Sequence, residues 1–166
     1  MLKECLGLDE VDAQIIKILQ ANPNATHSEI AERVNLSQPT VGNRIKKLIA
    51  SGILKFHAGF NIKTSSLYLA KLDVQSEKVE EIRKIVEQCP HVVHALRLSG
   101  LSNYIILIGS ESLKGLDQVV NFHFRNNPKI SKVSMELITD TFNNFVLPLI
   151  SSEEVCECTG GKMWDV

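Results

Sequence analysis

The stretch VNLSQPTVGNRIKKL (residues 34–48) decides the fold of the N-terminal region, because it joins a tight turn to a short basic helix. Ser37 is a natural N-cap, since its hydroxyl can accept a hydrogen bond from the first helical turn. Pro39 falls within that turn, where a missing N–H costs no helical hydrogen bond. Val41, Ile45 and Leu48 repeat at helical spacing and predict one buried stripe, which leaves a polar face outside.

The outward face of this helix is polar and basic. The residues between Val34 and Ser51 include no acid, whereas Arg44, Lys46 and Lys47 supply positive charge. Such a helix suits the major groove of DNA, although an ordinary solvated amphipathic helix is the alternative. Base contacts are expected from Gln38, Thr40 and Asn43, with Pro39 against a thymine methyl group. Phosphate contacts are expected from Ser37, Arg44 and Lys47.

Two more helices precede this one. Leu8 and Asp9 open the first, whose apolar residues Val11, Ile15, Ile16 and Leu19 repeat at helical spacing. The turn Asn22-Pro23-Asn24 ends it. Thr26 and Glu29 form a capping-box pattern at the start of a second helix, from Ser28 to Val34. Gly52 stands where a helix C-terminal glycine is expected. Three helices with a minimal turn between the last two predict a helix-turn-helix unit.

The chain resembles the Lrp/AsnC family of transcription regulators, and the resemblance is dense over about the first sixty residues. It rests on Leu8-Asp9, Asp12, Ile15-Ile16, Leu19, Glu29-Ile30-Ala31, Leu36-Ser37, Thr40-Val41, Arg44-Ile45, Leu48 and Gly52-Ile53. The resemblance implies an α+β protein: a winged helix-turn-helix domain, a hinge strand, and a C-terminal ferredoxin-like domain that dimerises and senses small molecules. Residues 1–52, 53–64 and 65–148 are expected to form these three parts, and residues 149–166 a cysteine-containing tail.

The second half of the chain independently predicts a βαββαβ order. Strands are expected at 67–74, 92–98, 103–109 and 130–142, and helices at 77–88 and 112–124. Residues 104–108 are continuously apolar and predict a strand buried on both faces. The glycine-bounded segment 52–61 predicts the extended hinge. This order is the split-βαβ pattern, which is also the order that the resemblance implies.

The expected effector-binding turn departs from the family pattern at one residue. In the family, a Gly-x-x-Asp turn at a dimer–dimer interface helps to hold a free amino acid. The matching residues here are Gly100, Leu101, Ser102 and Asn103, followed by Tyr104. Asn103 replaces the aspartate, and a neutral amide cannot make the charge-assisted bond to an α-ammonium group. A different ligand, coordination by the amide, an empty site and a plain hairpin turn are all alternatives.

A second group of residues is expected to contribute to the same effector site. Thr139, Asp140 and Thr141 are placed late in the last strand, where the family has other pocket residues. Asp140 could restore the negative charge that Asn103 lacks. A free amino acid is therefore one hypothesis for the effector, and no other cofactor is expected.

The tail carries Cys156 and Cys158, which an extended segment would place on one side. Thiolates of this kind could bind zinc or copper(I), or form a disulfide. Because a structural zinc usually takes four ligands, two subunits could each supply two thiols. A loosely ordered tail with reduced thiols is the alternative, and Trp164 could instead anchor an assembly contact. Metal or redox input through this tail is a second hypothesis for how the regulator is controlled.

Net charge, apolar runs and cysteine spacing limit which classes of protein the chain can belong to. The net charge is −1, with residues 1–60 at +1 and residues 61–166 at −2, so phosphate contacts per subunit are few. Tight binding to double-stranded DNA would then need a homodimer, and family members range up to tetramers and octamers. No apolar run is long enough for a membrane span and no secretory start is present, so a cytoplasmic protein is expected. Four cysteines without compact spacing do not predict a disulfide scaffold.

An enzyme of another class is the remaining alternative. The sirohaem decarboxylases resemble this two-domain family and would need basic and histidine residues around a large pocket. His91, His94 and Arg97 are the nearest cluster, but strand alternation places His91 and His94 on opposite faces. His57 and His123 stand alone in the sequence. No phosphate loop or nucleophile elbow is present, so the chain is not expected to be an enzyme.

Overall fold

The computed structural model describes residues 6–56, 58–142, 146–147 and 156–158, and the chain forms two compact units. The first unit is Met1–His57 and the second is Ala58–Val166. Within the described ranges, no helix has the length and apolar character needed to cross a bilayer. His57 and Trp164, which the sequence singled out, lie outside the described residues.

Within residues 6–56 the first unit has three helices: α1 (Glu10–Ala21), α2 (His27–Val34) and α3 (Gln38–Ala50). Each begins at a side-chain cap, because Asp9, Thr26 and Ser37 accept hydrogen bonds from the backbone of the first turns. The capping box is present: the Thr26 N–H donates to Glu29 Oε2 at 2.7 Å, and the Glu29 N–H donates to Thr26 Oγ1 at 3.3 Å.

The turn between α2 and α3 depends on Asn35. Its φ of 52° and ψ of 49° lie in the left-handed region, and its N–H donates to the Ala31 carbonyl. Asparagine tolerates this conformation better than most residues with a side chain. The turn lets α3 pack against α2, and one core forms from the apolar faces of all three helices. That core consists of Ile15, Leu19, Ile30, Ala31, Val34, Val41, Ile45, Leu48 and Leu54.

The expected hinge strand is much shorter than the sequence predicted. Only β1 (Phe60–Asn61) forms, and residues 53–56 form no strand. β1 pairs antiparallel with β6 (Val146–Leu147), with Phe60 opposite Leu147. The prediction of a strand across 52–61 was too long, because among the described residues of this segment only Phe60 and Asn61 pair with another strand. A 3-10 turn, Ile62–Thr64, follows β1.

The rest of the second unit has the predicted βαββαβ order. It consists of β2 (Tyr68–Gln75), α4 (Val79–Gln88), β3 (Val92–Arg97), β4 (Tyr104–Ser110), α5 (Leu113–Val120) and β5 (Lys132–Ile138). The sheet order is β3-β4-β2-β5 and every pair is antiparallel. This is the ferredoxin-like arrangement, so the α+β fold class is confirmed.

The sheet has one covered face and one largely open face. Ala70, Leu72 and Val74 of β2 face the main core, which α4 and α5 complete with residues such as Ile82 and Leu116. At one end of the other face, Ile62, Leu69, Val93 and Leu147 form a small second core. The β1–β6 pair and the 3-10 turn therefore cover only part of that face.

Three element predictions need correction. β4 alternates between buried and half-buried residues, so it is not fully buried on both faces as its apolar run suggested. α5 ends at Val120 and continues as a π-helical turn, Asn121–Arg125, rather than as one regular helix to Phe124. β5 ends at Ile138, so Thr139, Asp140 and Thr141 follow the strand and do not lie within it, because pairing with β2 begins only at Leu69.

Candidate nucleic-acid interface and effector-binding elements

The first turns of α3 present a continuous polar surface. Ser37 caps the helix, and its hydroxyl also lies 2.7 Å from Thr40 Oγ1. The Val41, Ile45 and Leu48 side chains are buried beneath, as the helical spacing predicted. The residues proposed for DNA contact that are exposed are Ser37, Gln38, Pro39, Thr40, Asn43 and Lys47. None of these six side chains is acidic, and Lys47 adds a positive charge. Asp9 and Asp12 of the neighbouring helix start lie in the same depression as Thr40, Asn43 and Lys47.

Arg44 is different from the other proposed DNA contacts. Its Nη1 donates to Asp9 Oδ2 at 2.6 Å and to Asp12 Oδ1 at 2.8 Å, so one guanidinium joins α3 to both ends of the first turn of α1. The side chain is only 31% exposed. These two carboxylates offset its charge, and the contacts favour a structural role for Arg44 over the phosphate contact expected from the sequence.

The charges in this contact stabilise each other's ionised forms. Hydrogen bonds to Asp12 and then Asp9 raise the pKa of Arg44. The Asp12 backbone N–H, and then the Arg44 guanidinium, hold the pKa of Asp9 below its usual value. Sequence reasoning missed this contact because the residues are 35 positions apart, and no local pattern indicates such a pair.

Asn103, the residue that departs from the family pattern, bonds the backbone of Ser76. Its Oδ1 accepts from the Ser76 N–H at 3.0 Å, and its Nδ2 donates to the Ser76 carbonyl at 2.7 Å. A carboxylate has no donor for that carbonyl. The amide at position 103 thus has a role in holding the end of β2 that does not involve any effector. The preceding residues Gly100, Leu101 and Ser102 form the β3–β4 turn.

Thr139, Asp140 and Thr141 border a small cavity of about 180 Å³ with Lys63 and Ser65. This cavity offers one carboxylate and one ammonium group. It lies at the opposite end of the sheet from Asn103: β2 pairs with Ile138 at Leu69 and with Tyr104 at Val74, about 17 Å apart along a strand. The structure therefore does not bring the two predicted groups of effector residues together within one chain.

The open face of the sheet combines apolar and charged residues. Lys71 Nζ lies 2.8 Å from Glu136 and 3.0 Å from Asp73, and Glu136 and then Asp73 raise its pKa. A shallow cavity of about 220 Å³ adjoins this ion pair, with Leu96, Ile105 and Leu107 in its wall. Leu96 is 50% exposed, so this face presents apolar side chains to solvent beside the ion pair.

The histidine and arginine cluster considered for an enzyme does not form one site. His91 is buried, with Nδ1 at 3.0 Å from the Gly109 carbonyl, and burial lowers its pKa. His94 and Arg97 are exposed on β3. The three side chains therefore do not line one large pocket, as a tetrapyrrole enzyme would need.

The tail cysteines pack into the second unit together with two residues that the sequence did not connect to them. His123 Nε2 lies 3.2 Å from Cys156 Sγ, and Cys89 Sγ lies 3.9 Å from Cys158 Sγ. Burial raises the pKa of Cys156, and the Cys89 thiol and then burial raise that of Cys158 to about 12. All four groups come from one chain, so the expected sharing of thiols between two subunits is not needed.

Comparison with known proteins decides the family. Residues 8–55 match a winged helix-turn-helix DNA-binding model, and residues 68–145 match the Lrp/AsnC ligand binding domain. The HTH-type transcriptional regulator LrpA of Bacillus subtilis is 30% identical over 122 residues, which cover 69% of this chain and 88% of LrpA. The chain belongs to the Lrp/AsnC family. It is a helix-turn-helix transcriptional regulator with a ligand-binding domain.

Two other proteins extend the comparison to solved structures. LrpC of Bacillus subtilis is 24% identical over 121 residues, 70% of this chain and 83% of LrpC. The structure of LrpC aligns with a TM-score of 0.70 at 21% identity. The alignment covers 82% of the present chain and 97% of the LrpC chain. The regulator NMB0573 of Neisseria meningitidis, solved as a complex with L-Met, aligns with a TM-score of 0.68 at 21% identity, over 82% and 93% of the two chains. Both show the same fold.

Proposed function

We propose that this Lrp/AsnC regulator reads operator DNA with the exposed face of α3 as a homodimer whose assembly or DNA affinity responds to a small molecule. The observation that carries the proposal is the exposed surface formed by Gln38, Pro39, Thr40, Asn43 and Lys47, none of which is acidic. An amide such as Asn43 or Gln38 can bond adenine in the major groove with two hydrogen bonds. Lys47, further along the helix, would position the protein on phosphate.

Arg44 fits this proposal as the residue that fixes the reading helix. Its bonds to Asp9 and Asp12 hold α3 against α1, so the polar face keeps one orientation relative to the rest of the unit. Side chains that read bases need such support, since a small displacement breaks their hydrogen bonds. We therefore assign base reading to Gln38, Thr40 and Asn43, and the fixing of the helix to Arg44.

The open sheet face supports a homodimer. Leu96, Ile105 and Leu107 are apolar, and they surround the Lys71–Glu136 ion pair. A two-fold axis through this face would bring the same apolar surface of each subunit together. Two copies of α3 would then meet DNA half-sites separated by one helical turn or a multiple of it.

The cavity beside Asp140 is our candidate for the effector site. A free amino acid carries an ammonium and a carboxylate group, which Asp140 and Lys63 could bind with complementary charge. The Neisseria relative that was solved with L-Met makes an amino acid the first class to test. The Gly100–Asn103 turn could join this site only from another subunit.

DNA binding to the chain's own promoter region, titrated with an amino-acid panel, then zinc, then oxidant and reductant, tests the proposal. We expect a shift with one or more amino acids that is lost in Asp140→Asn and kept in Glu87→Gln, a matched change of carboxylate to amide at an exposed residue of α4. Asn43→Ala should keep DNA affinity in general but lose about 1–3 kcal/mol of discrimination at one base position. Failure to bind any DNA under these conditions would overturn the regulator proposal for this surface.

The same titration distinguishes control by an effector in the Asp140 cavity from control by metal or redox conditions through the tail. A response to zinc or to redox conditions alone, lost when Cys156 and Cys158 are both replaced by serine, would move control from the Asp140 cavity to the tail. A response to amino acids that survives this double replacement would keep the effector in the ligand-binding domain.

A further inference from the structure

We propose that Cys89, His123, Cys156 and Cys158 form a Cys3His site for zinc that fastens residues 156–158 to the ferredoxin-like unit. The four ligand atoms, three sulfurs and one imidazole nitrogen, all lie within 4.8 Å of one another. They come from three separate parts of the chain, and neither the exposed face of α3 nor the Asp140 cavity uses them.

The distances are close enough for tetrahedral zinc after small side-chain movements. With Zn–S bonds of about 2.3 Å and Zn–N bonds of about 2.1 Å, two sulfurs lie about 3.8 Å apart and a sulfur and a nitrogen about 3.6 Å apart. Cys89 Sγ and Cys158 Sγ are 3.9 Å apart, and His123 Nε2 and Cys156 Sγ are 3.2 Å apart. The widest separation, 4.8 Å, needs a contraction of about 1 Å, which rotation of a thiol side chain can supply.

The fold holds two of the ligands on rigid elements. Cys89 is the C-cap of α4, where its N–H donates to the Ile85 carbonyl. His123 lies in the π-helical turn that extends α5, next to Phe124, which is fully buried. Such π-helical turns are frequent at functional sites, because the extra residue re-aims the side chains of the turn. A turn of this kind is thus consistent with His123 being directed at the cluster.

The surroundings favour a structural site over simple packing of thiols. Cys89, Cys156 and Cys158 are buried, while His123 is half-buried and gives access from solvent. Buried thiols alone would pack as small apolar side chains and would not require an imidazole nitrogen facing them. Four protein ligands leave no open position for water or substrate, which is the pattern of structural zinc and not of catalytic zinc.

The donor set selects the metal. Three thiols and one imidazole are soft or intermediate ligands, whereas Mg²⁺ and Ca²⁺ take oxygen ligands. Zinc accepts sulfur and nitrogen in a tetrahedron without needing redox chemistry. A disulfide between Cys89 and Cys158 is the competing use of the same atoms. It would require the sulfurs to approach to about 2.05 Å and would need an oxidant.

Metal analysis of the purified full-length chain tests the proposal. The protein is purified under reducing conditions, its zinc is measured, and a chelator-treated sample is titrated with Co²⁺ as a spectroscopic substitute. We expect one zinc per chain. We also expect intense visible d–d bands for tetrahedral cobalt, together with a near-ultraviolet thiolate-to-cobalt charge-transfer band.

Ligand variants locate the site. Cys89→Ser and His123→Ala should each weaken zinc binding by more than about 100-fold, since even loss of a residue that hydrogen-bonds a metal ligand costs about 10–100-fold. Cys5→Ser, outside the proposed ligands, and His94→Ala, on the exposed side of β3, are matched controls and should keep one zinc per chain. His123→Cys should retain binding and strengthen the charge-transfer band, because it offers four thiolates. This variant keeps the test decisive if His123→Ala does not fold.

Several outcomes would overturn the proposal. Absence of zinc from the wild-type chain, with no cobalt spectrum on titration, would leave the four residues as core packing. Zinc that persists in both Cys89→Ser and His123→Ala would place the metal elsewhere. A thiol titration of the unfolded, unreduced chain that finds two reactive thiols in place of four would show a disulfide. None of these outcomes bears on DNA binding by α3, so the regulator proposal stands or falls separately.

Discussion

Asn103 holds Ser76 by two hydrogen bonds that together use both the carbonyl oxygen and the amino group of its side-chain amide. Ser76 is itself 1% exposed, and its hydroxyl donates to the Lys129 carbonyl at 2.8 Å. The β3–β4 turn, the end of β2 and the segment before β5 are thereby joined at one point. The amide that replaces the family's aspartate thus stabilises this end of the sheet.

Replacing Asn103 by aspartate should destabilise the second unit by about 1–3 kcal/mol, because the Ser76 carbonyl loses its donor and faces a carboxylate. Chemical denaturation followed by circular dichroism measures this loss. The loss should shrink at acidic pH, where a protonated aspartic acid regains a donor. Leu101→Ala, at a side chain that is 87% exposed, is the control and should leave the midpoint unchanged. Equal stability of Asn103→Asp and wild type at neutral pH would contradict the role assigned to the amide.

Replacing Asp9 by asparagine should make the first unit less stable at neutral pH while keeping the helix cap, since asparagine also caps helices. The pKa of Asp9 is depressed in the folded state, so its contribution is present above the ordinary value of about 3.9 and is lost as the pH falls below it. The difference between wild type and variant should therefore vanish at low pH. Thermal melts at a series of pH values check this, and a difference that is constant with pH would argue against a charge effect.

Replacing Lys47 by alanine should weaken binding to all DNA sequences alike and reduce the salt slope by about 1 for each subunit that contacts DNA. The reason is the loss of one phosphate contact, which carries no sequence information. Binding isotherms at several salt concentrations, on specific and non-specific DNA, measure the slope. Lys46→Ala on the same helix is the matched control for charge. An equal effect of both replacements would mean that only the overall charge of α3 matters.

Replacing Asn35 by alanine should cost about 1–2 kcal/mol, because a residue with a Cβ but no local hydrogen-bonding group is strained at positive φ. Asn35→Gly should keep or slightly raise stability, since glycine enters this region freely. Urea denaturation of the two variants beside wild type gives the comparison. Alanine and glycine variants of equal stability would mean that the turn relaxes to another conformation.

Replacing Leu96 by glutamate should disrupt the proposed homodimer, because it places a charge in an apolar surface that already contains Glu136. Sedimentation equilibrium at several protein concentrations measures the association, and DNA affinity should fall along with it. Leu113→Glu, at an equally exposed leucine on α5, is the control and should leave the dimer intact. A Leu96→Glu chain that associates as wild type does would exclude this face as the interface.

The sequence predicted the features that short-range chemistry determines. Helix starts at Asp9, Thr26 and Ser37 follow from side-chain caps, and the βαββαβ order follows from apolar periodicity. Strand lengths were less predictable, because β1 and β5 end where their partners end. The ends of a strand depend on pairing, which the residues of that strand alone do not contain.

In the candidate sites too, features set by neighbouring residues were predictable and contacts between distant residues were not. The exposed face of α3 could be predicted from helical spacing, whereas the Arg44–Asp9 contact and the cluster of Cys89 and His123 with Cys156 could not. Residues 33 or more positions apart leave no local pattern, and only the folded chain places them together. His123 appeared isolated in the sequence, yet the structure brings it beside the tail thiols.

The position of Cys156 and Cys158 in the main core also determines when that core can be completed during synthesis. The helix-turn-helix core is closed by Leu54, so this unit can fold while the rest of the chain is still being made. The four-stranded sheet of the second unit is complete by Ile138, but the core beneath it lacks two members until residue 158 has left the ribosome. The nascent chain can therefore form α3 well before the core of its ligand-binding domain is complete.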